Sequence, residues 1–407
     1  MPKFRTLDDL DVHGRRALLR ADLNVPVKDG VVTDATRIER LAPTIQALIE
    51  KGARVIVMSH FGRPKGKKDP ALSLRPLVAP LSRALGGREV IFAEDCIGAG
   101  VKRAVAALRP GQIVLLENLR FHKEEEADSP EFAQALAELG DVYIDDAFSA
   151  AHRAHASIDA LARLLPNAAG KLMQAELAAL TAALETPRRP LMALIGGAKV
   201  STKLDLLRFL VGKVDILAVA GAMANTFLLA EGREIGRSLG EPGMADGARQ
   251  TLALAAQQNC RVILPEDLVV AAAAEPGVAV RTVAADMVPA EMRILDIGPK
   301  TVARIEDLLD EAHTLVWNGP LGAFETPPFD RATVAVAKRV AELTRCGWLL
   351  SVAGGGDTVA ALDAAGVADS LSYVSTAGGA FLEWLEGRKL PGVEALAAAG
   401  EEPDERQ

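Results

Sequence analysis

The sequence predicts an α/β protein made of two doubly wound, open parallel sheets joined by a helix, and three observations predict it. The chain has 407 residues, more than one hydrophobic core usually organises, so two domains are expected. Short apolar or β-branched runs alternate with longer segments of helical spacing, which is the pattern of βα units around parallel sheets. Aromatic residues make up only 4% of a chain that is 49% hydrophobic, so Val, Ile, Leu and Ala must build the core, as they do in Rossmann-like folds rather than in β sandwiches.

In the first half the expected strands are "RALLRADLNV", "ARVIVMSH", "EVIFA", "QIVLLENLRF" and "DVYIDDAF", and they define a first domain over residues 1–170. The stretch "KLMQAELAALTAALETPRRP" follows, with apolar residues at helical spacing up to Leu184 and then Pro187 and Pro190 to stop it. It reads as an interdomain helix over 171–187. A second domain over 188–390 holds "LMALIGG", "DILAVAGAM", "CRVILPEDLVV", "RILDIGP", "TLVWNGPLGAF" and "WLLSVAGGGD". Roughly eleven such runs are too many for one eight-stranded barrel, which favours two open sheets. The tail, 391–407, has an apolar piece long enough to dock.

The formal net charge is -8, which argues against a nucleic-acid protein held by bulk electrostatics; any anion site must be a local cluster. Cys96, Cys260 and Cys346 are far apart and show no metal-ligand spacing, which suits a reducing compartment. The N-terminus lacks the apolar core of a signal peptide, and no apolar run reaches the length of about 18 residues that a membrane span needs. The expectation is a soluble cytoplasmic protein with no membrane partner.

In open parallel sheets ligands bind beyond the carboxyl ends of the strands, so function is sought at the strand tips. First-half tips carry Asp22, Asn24, His60, Arg63, Asn118 and Arg120, with "AHRAHAS" close behind. Arg37, Arg63, Arg120 and Arg153, at or near tips of a net-acidic chain, form a candidate anion cluster, because guanidinium forks grip phosphate and carboxylate bidentately. His152 and His155 have no third ligand nearby in sequence and are assigned to structure or to the anion pocket rather than to a metal. The run "KEEE", 123–126, reads as a solvated loop.

Second-half tips are mostly glycine. In "GGGDTVAAL" the bare backbone N–H groups of Gly354, Gly355 and Gly356 open a helix, where phosphates can approach closely. Asp357 and Thr358 follow, where a carboxylate or hydroxyl caps the helix or holds the water shell of a magnesium ion. A second turn, "STAGGAFLEWL", places Ser375, Thr376, Gly378 and Gly379 about twenty residues on, so one polyphosphate is expected across both. "LIGGAKVSTKLDLL" puts Lys199 and Lys203 at i, i+4, on one expected helix face just past a strand tip; cations set against the helix dipole imply a ligand. "VWNGPLGAFE" ends a strand in a rigid turn and reaches Glu325, suited to accept hydrogen bonds from ribose hydroxyls. There is no Walker A match, and no G-x-G-x-x-G follows the first strand of either half.

Taken in order, "RADLNVPV", "SHFGRP", "LENLRFHKEEE", "DDAFSAAHRAHAS", "GGAKVSTK", "VWNGPLGAFE", "GGGDT" and "STAGGAFLEWLEG" closely resemble the phosphoglycerate kinase family, over residues 15–395 or so. The resemblance implies a bilobal, hinge-bending enzyme: a phosphotransferase with a carboxyl group as acceptor, carrying out reversible, magnesium-dependent transfer from 1,3-bisphosphoglycerate to ADP to give 3-phosphoglycerate and ATP. It also implies direct in-line transfer after domain closure, by a single-chain enzyme whose tail returns to the first domain. Matched by motif, the glycerate side would be Asp22, Asn24, Arg37, His60, Arg63, Arg120 and Arg153. The nucleotide side would be Lys203, Glu325 and Gly354 to Asp357, with Asn318, Thr358, Gly298, Gly378 and Gly379 nearby and Mg2+ at Asp357 through water. Arg37, Lys199 and Lys203 would surround the moving phosphoryl group. The chain departs from the family at Ala377, Tyr373, Ser149 and Ala150, none of them a matched charged residue.

Two other classes are weighed. A nicotinamide-dependent dehydrogenase needs a glycine fingerprint after the first strand and an acid about twenty residues on, and both are absent. A scaffold that kept the fold and lost turnover is opposed by the presence of every matched charged residue.

Overall fold

A computed structural model describes residues 4–28 and 30–398. The chain divides into two compact units: one runs to Leu177 and resumes at Lys389, and the other spans Ala178–Arg388.

In chain order the first unit holds β1 (Arg16–Arg20), the short hairpin β2 (Val27–Lys28) and β3 (Val31–Val32), α1 (Thr36–Glu50), β4 (Arg54–Met58), α2 (Val78–Ala84), β5 (Val90–Phe92), α3 (Ala99–Ala106), β6 (Ile113–Leu115), α4 (Lys123–Glu126), α5 (Pro130–Ala137), β7 (Val142–Asp145) and β8 (Asn167–Ala169). The chain leaves it through α6 (Lys171–Leu184), which ends ahead of Pro187 and Pro190. The sheet order is β5-β6-β4-β1-β7-β8, parallel throughout. Its strands are apolar on both faces because helices cover both. Leu19, Val55 and Val57 pack with Leu41 and Ile45 of α1 and Leu81 of α2, while Leu18, Ile56 and Val114 pack with Val101 of α3 and Phe132 of α5.

The second unit holds β9 (Leu191–Ile195), α7 (Leu204–Val211), β10 (Ile216–Val219), α8 (Gly221–Ala230), α9 (Ala245–Gln257), β11 (Arg261–Ile263), β12 (Asp267–Ala271), β13 (Val280–Ala284), β14 (Arg293–Ile297), α10 (Pro299–Glu311), β15 (Thr314–Asn318), α11 (Arg331–Arg345), β16 (Leu350–Gly354), α12 (Gly356–Ala364), β17 (Tyr373–Ser375) and α13 (Gly379–Leu385). Its main sheet has the parallel order β11-β10-β9-β15-β16-β17. In each sheet the chain works outward on one side and then returns beside its first strand. The switch points therefore lie between β1 and β7 and between β9 and β15, and crevices open at the carboxyl ends of such pairs.

The fold corrects the strand reading in one place. "CRVILPEDLVV" is two strands, because Pro265 cannot donate to the ladder and breaks it. Its first half is β11, while its second half, β12, pairs antiparallel with β13 and β14 in a separate three-stranded sheet. "RILDIGP" is β14 and belongs to that sheet too. Short β8 and β17 and exposed β13 carry too little apolar pattern to have been marked.

α14 (Pro391–Ala398) lies in the first unit: the Gly392 amide donates to the Ala151 carbonyl, and Ala395 joins the core under β1 and β4. Residues 399–407 of the expected docking tail lie outside the described residues. Among the described residues no helix is long and apolar enough to cross a membrane.

Candidate functional site

At the β1/β7 switch point, Asp22 accepts hydrogen bonds from Ser149 Oγ and, at 2.7 Å, from Arg37 Nη1. Arg37 also donates to the Asn24 carbonyl. Asp22 Oδ1 takes the Asn24 amide, and Asn24 Oδ1 takes the Gly62 amide, which stitches the β1 tip to the β4 tip. Asn118, past β6, is fully occupied in scaffolding: its Oδ1 accepts from the Phe61 and Arg120 amides and its Nδ2 donates to the Phe61 and Leu72 carbonyls.

Around that frame the cations gather. Arg120 is buried, donates to the Gly62 carbonyl at 2.8 Å and lies 3.4 Å from Glu126; burial brings its pKa down to about 10, against the pull of Glu126. His60 is pushed well below the ordinary imidazole range, first by burial and then by Arg20, Arg120, Arg153 and His155 around it. It is a neutral ring among guanidinium groups. Arg153 Nε donates to His152 Nε2. Arg63 is exposed at the β4 tip and makes no hydrogen bond or ion pair with the described residues. Arg20, missed from sequence, is fully buried; an arginine closing an otherwise apolar strand was its available signal. The "KEEE" run is not a solvated loop either, since it forms α4 and Glu125 is completely buried.

At the β9/β15 switch point the two tips almost touch. A Cβ on Gly196 would lie 1.9 Å from the Pro320 carbonyl oxygen. Into this point comes Lys203, whose Nζ donates to the Gly196 carbonyl and to Asn318 Oδ1, each at 2.6 Å. Burial lowers its pKa to about 8, against the attraction of Asp357. Asn318 Nδ2 in turn donates to the Gly354 carbonyl at 2.6 Å, so one lysine and one asparagine tie the tips of β9, β15 and β16. Lys199 and Lys203 do not share a helix face as expected. A 3-10 turn covers Val200–Thr202 and α7 begins only at Leu204, because Lys203 is turned back onto the strand carbonyls, leaving Lys199 exposed.

The three glycines of "GGGDT" have three different reasons. Gly354 packs on Phe381, whose ring would be 2.7 Å from an added Cβ. Gly355 is left-handed (φ +100), and a Cβ there would sit 2.5 Å from Asn318 Nδ2. Gly356 opens α12 with nothing within 4 Å of its Cβ position, so its face is bare. Thr358 is buried, with Oγ1 donating to the Gly354 carbonyl and accepting from the Gly319 amide, so its hydroxyl serves the turn between β15 and β16. Asp357 is exposed, and its carboxylate accepts no hydrogen bond among the described residues. It is the group there that could hold a hard cation.

Asp357 and Glu325 line a cavity of about 430 Å³ together with Gly197, Gly221, Leu295 and Pro320. Arg237, Arg293 and Asp296 are its other charged walls. Gly221 was not anticipated: it is left-handed (φ +67), and a Cβ there would meet the Gly197 backbone at 2.7 Å. Gly298 is not on this wall. A Cβ on it would strike the Asp267 carboxylate at 2.3 Å, and that carboxylate caps α10 through the Lys300 and Thr301 amides.

The model of the phosphoglycerate kinase family matches residues 7–388. The chain belongs to the phosphoglycerate kinase family. A phosphoglycerate kinase of Methylorubrum populi is 60% identical over 399 residues, 98% of this chain and all of its own length; one from Cereibacter sphaeroides is 57% identical over 393 residues, 97% of this chain and 99% of its own. The solved phosphoglycerate kinase of Coxiella burnetii superposes with a TM-score of 0.91 at 43% identity, covering 98% of this chain and all of that one. That of Pyrococcus horikoshii gives 0.81 at 30% identity, over 98% and 99% of the two chains.

Two of the departures from the phosphoglycerate kinase motifs, Ala377 and Ser149, are absorbed locally. Ala377 is not left-handed; the positive φ falls on Gly378 (φ +56), just before Gly379 starts α13. Ser149 supplies a hydroxyl to Asp22. Gly355→Ala is expected to cost about 1–2 kcal/mol from the left-handed conformation alone, and more as Asn318 is displaced. Equilibrium denaturation reads this as a lower midpoint, and a parent-like midpoint would mean that the turn does not depend on glycine.

Proposed function

We propose that the first unit holds the phosphoglycerate substrate and the second the nucleotide. Membership of the family makes the chain an enzyme, a glycolytic phosphotransferase moving a phosphoryl group between 1,3-bisphosphoglycerate and ADP. The observation that carries the division is the contrast between the two switch points: guanidinium groups packed around a neutral imidazole at one, and a lysine among bare glycine backbones beside a cavity at the other. On the glycerate side we assign Asp22, Asn24, Arg37, His60, Arg63, Arg120 and Arg153. On the nucleotide side we assign Lys203, Asn318, Glu325, Gly354, Gly355, Gly356 and Asp357, with the Thr358 amide, Gly378 and Gly379 contributing backbone. Gly298 acts by giving Asp267 room.

Phosphoryl transfer asks the protein for in-line positioning and for positive charge around the equatorial oxygens. Lys203 suits this because its contacts are neutral carbonyl and amide oxygens, so its charge is oriented without being cancelled. Arg37, by contrast, is already half-neutralised by Asp22, and Lys199 is free to approach. Magnesium entering with the nucleotide would be held by Asp357, through water, and would neutralise phosphate charge. Because each ligand has its own unit, the cycle includes closure about α6, which aligns the ligands and excludes water. We take the enzyme to work as a monomer in the cytoplasm.

Lys203→Ala should lower kcat by about 10²–10³ with a modest change in KM, the loss typical of one transition-state donor; an unchanged kcat would remove Lys203 from the transfer. The protonated amine is the useful form, so kcat/KM for the nucleotide should decline as pH rises through about 8, and Lys203→Arg should abolish that decline. Arg63→Ala should raise KM for 3-phosphoglycerate about tenfold, a loss of about 1.4 kcal/mol, and leave the nucleotide KM alone. An equal loss for both substrates would contradict the division.

A further inference from the structure

Beneath the cationic cluster lies a buried polar chain that the reaction does not itself use. Ser157 is bonded at every polar atom. Its amide and hydroxyl donate to Glu125 Oε2 and Oε1 at 2.9 and 2.6 Å, its carbonyl accepts from Tyr143 Oη at 2.8 Å, and its hydroxyl accepts from Arg20 Nε at 2.8 Å. Arg20 reaches onward with Nη2 to His60 Nδ1 at 3.2 Å. Glu125, Ser157 and Arg20 are all fully buried. A buried carboxylate and guanidinium are retained at considerable desolvation cost; Arg20 also donates from Nη1 to the Ala21 carbonyl at 2.5 Å, which leaves Nη2 for the imidazole.

A guanidinium can only donate. The nitrogen it faces on His60 must therefore be an acceptor, and in a neutral imidazole the proton is then on the other nitrogen. We propose that Glu125 and Ser157 are positioning residues for phosphoglycerate: acting through Arg20, they fix His60 as the tautomer protonated on Nε2, so that the ring offers an N–H donor to the anion. The charged and titratable groups around His60 are Arg20 from β1, Arg120 from the turn after β6, and Arg153 and His155 from the loop after β7. All of them oppose its protonation, so the ring stays a neutral donor as pH falls. If Ser157 or Glu125 is altered, Arg20 keeps its bond to the Ala21 carbonyl but loses the one that fixes Nε, so the guanidinium plane turns, and both the tautomer constraint on His60 and the charge held against it weaken.

This rests on the assignment of phosphoglycerate to the first unit, and the test separates the two. The full-length enzyme labelled with 15N-histidine, with His60 assigned by comparison with His60→Gln, should show His60 neutral and protonated on Nε2 at pH 6. In Ser157→Ala and Glu125→Gln that single tautomer should be lost or the ring should titrate closer to 6.5, the ordinary value. KM for 3-phosphoglycerate should rise about tenfold, as expected for a weakened hydrogen bond to a charged group, while the nucleotide KM stays within about twofold. A parent His60 protonated on Nδ1, or charged at pH 6, overturns the proposal without needing either variant to fold. So does a parent-like tautomer and KM in both variants while Arg63→Ala still weakens 3-phosphoglycerate, which leaves the glycerate assignment standing. If Arg63→Ala has no effect on 3-phosphoglycerate, the assignment itself falls, and the substrate role of the relay falls with it whatever the tautomer.

Discussion

Parallel pairing brings every strand of a sheet to its carboxyl end along the same edge, and the chemistry of this protein depends on that constraint. In each unit the edge is interrupted at one place, where the chain has worked outward and come back beside its first strand. At β1/β7 the returning segment supplies Ser149 to Asp22. At β9/β15 it supplies Asn318 to Lys203. The polar groups at these points cannot be satisfied by the sheet itself, so they are satisfied by each other or remain available to a ligand.

The two units build their strand edges in different ways. In the first, cationic groups are buried together: Arg120 and His60 are both displaced downward, chiefly by burial, with the neighbouring guanidinium groups adding to it. Carboxylates are set beneath and beside the cluster, Glu125 under Arg20 through Ser157 and Asp22 against Arg37. In the second, one buried lysine ties the strand tips together, and the turns around it are glycine. Three adjacent glycines look redundant in sequence. In the fold one admits a phenylalanine ring, one makes the left-handed turn against Asn318, and one leaves the start of α12 open.

Much of this was legible in the residues. The alternation of apolar runs and helical spacing located every strand of the two main sheets except β8 and β17, and it directed attention to the arginines and glycines at their tips. What escaped did so for physical reasons. Glu125 sits in a run of like charges, which ordinarily means solvent, and only the distant Ser157 makes its burial tolerable. The Lys199–Lys203 spacing suggested a helix face, but the local turn yields to the pull of the nearby Gly196 carbonyl and the distant Asn318 side chain on Lys203. Thr358 carries the right hydroxyl in the right motif, yet packing commits it to Gly354 and Gly319. The antiparallel strand β12 was hidden behind Pro265. For Glu125, Lys203 and Thr358 a partner distant in sequence took part in the outcome, and spacing along the chain does not report such partners.

The most direct test of the account is backbone hydrogen exchange with each ligand added alone. It predicts that 3-phosphoglycerate slows exchange at the tips around residues 22–24, 60–63, 118–122 and 150–157 and leaves the second unit unchanged. ADP with magnesium should slow residues 196–203, 319–325 and 354–358 and leave the first unit unchanged. Protection of the second unit's glycine turns by 3-phosphoglycerate alone, or of the arginine cluster by the nucleotide alone, would contradict it.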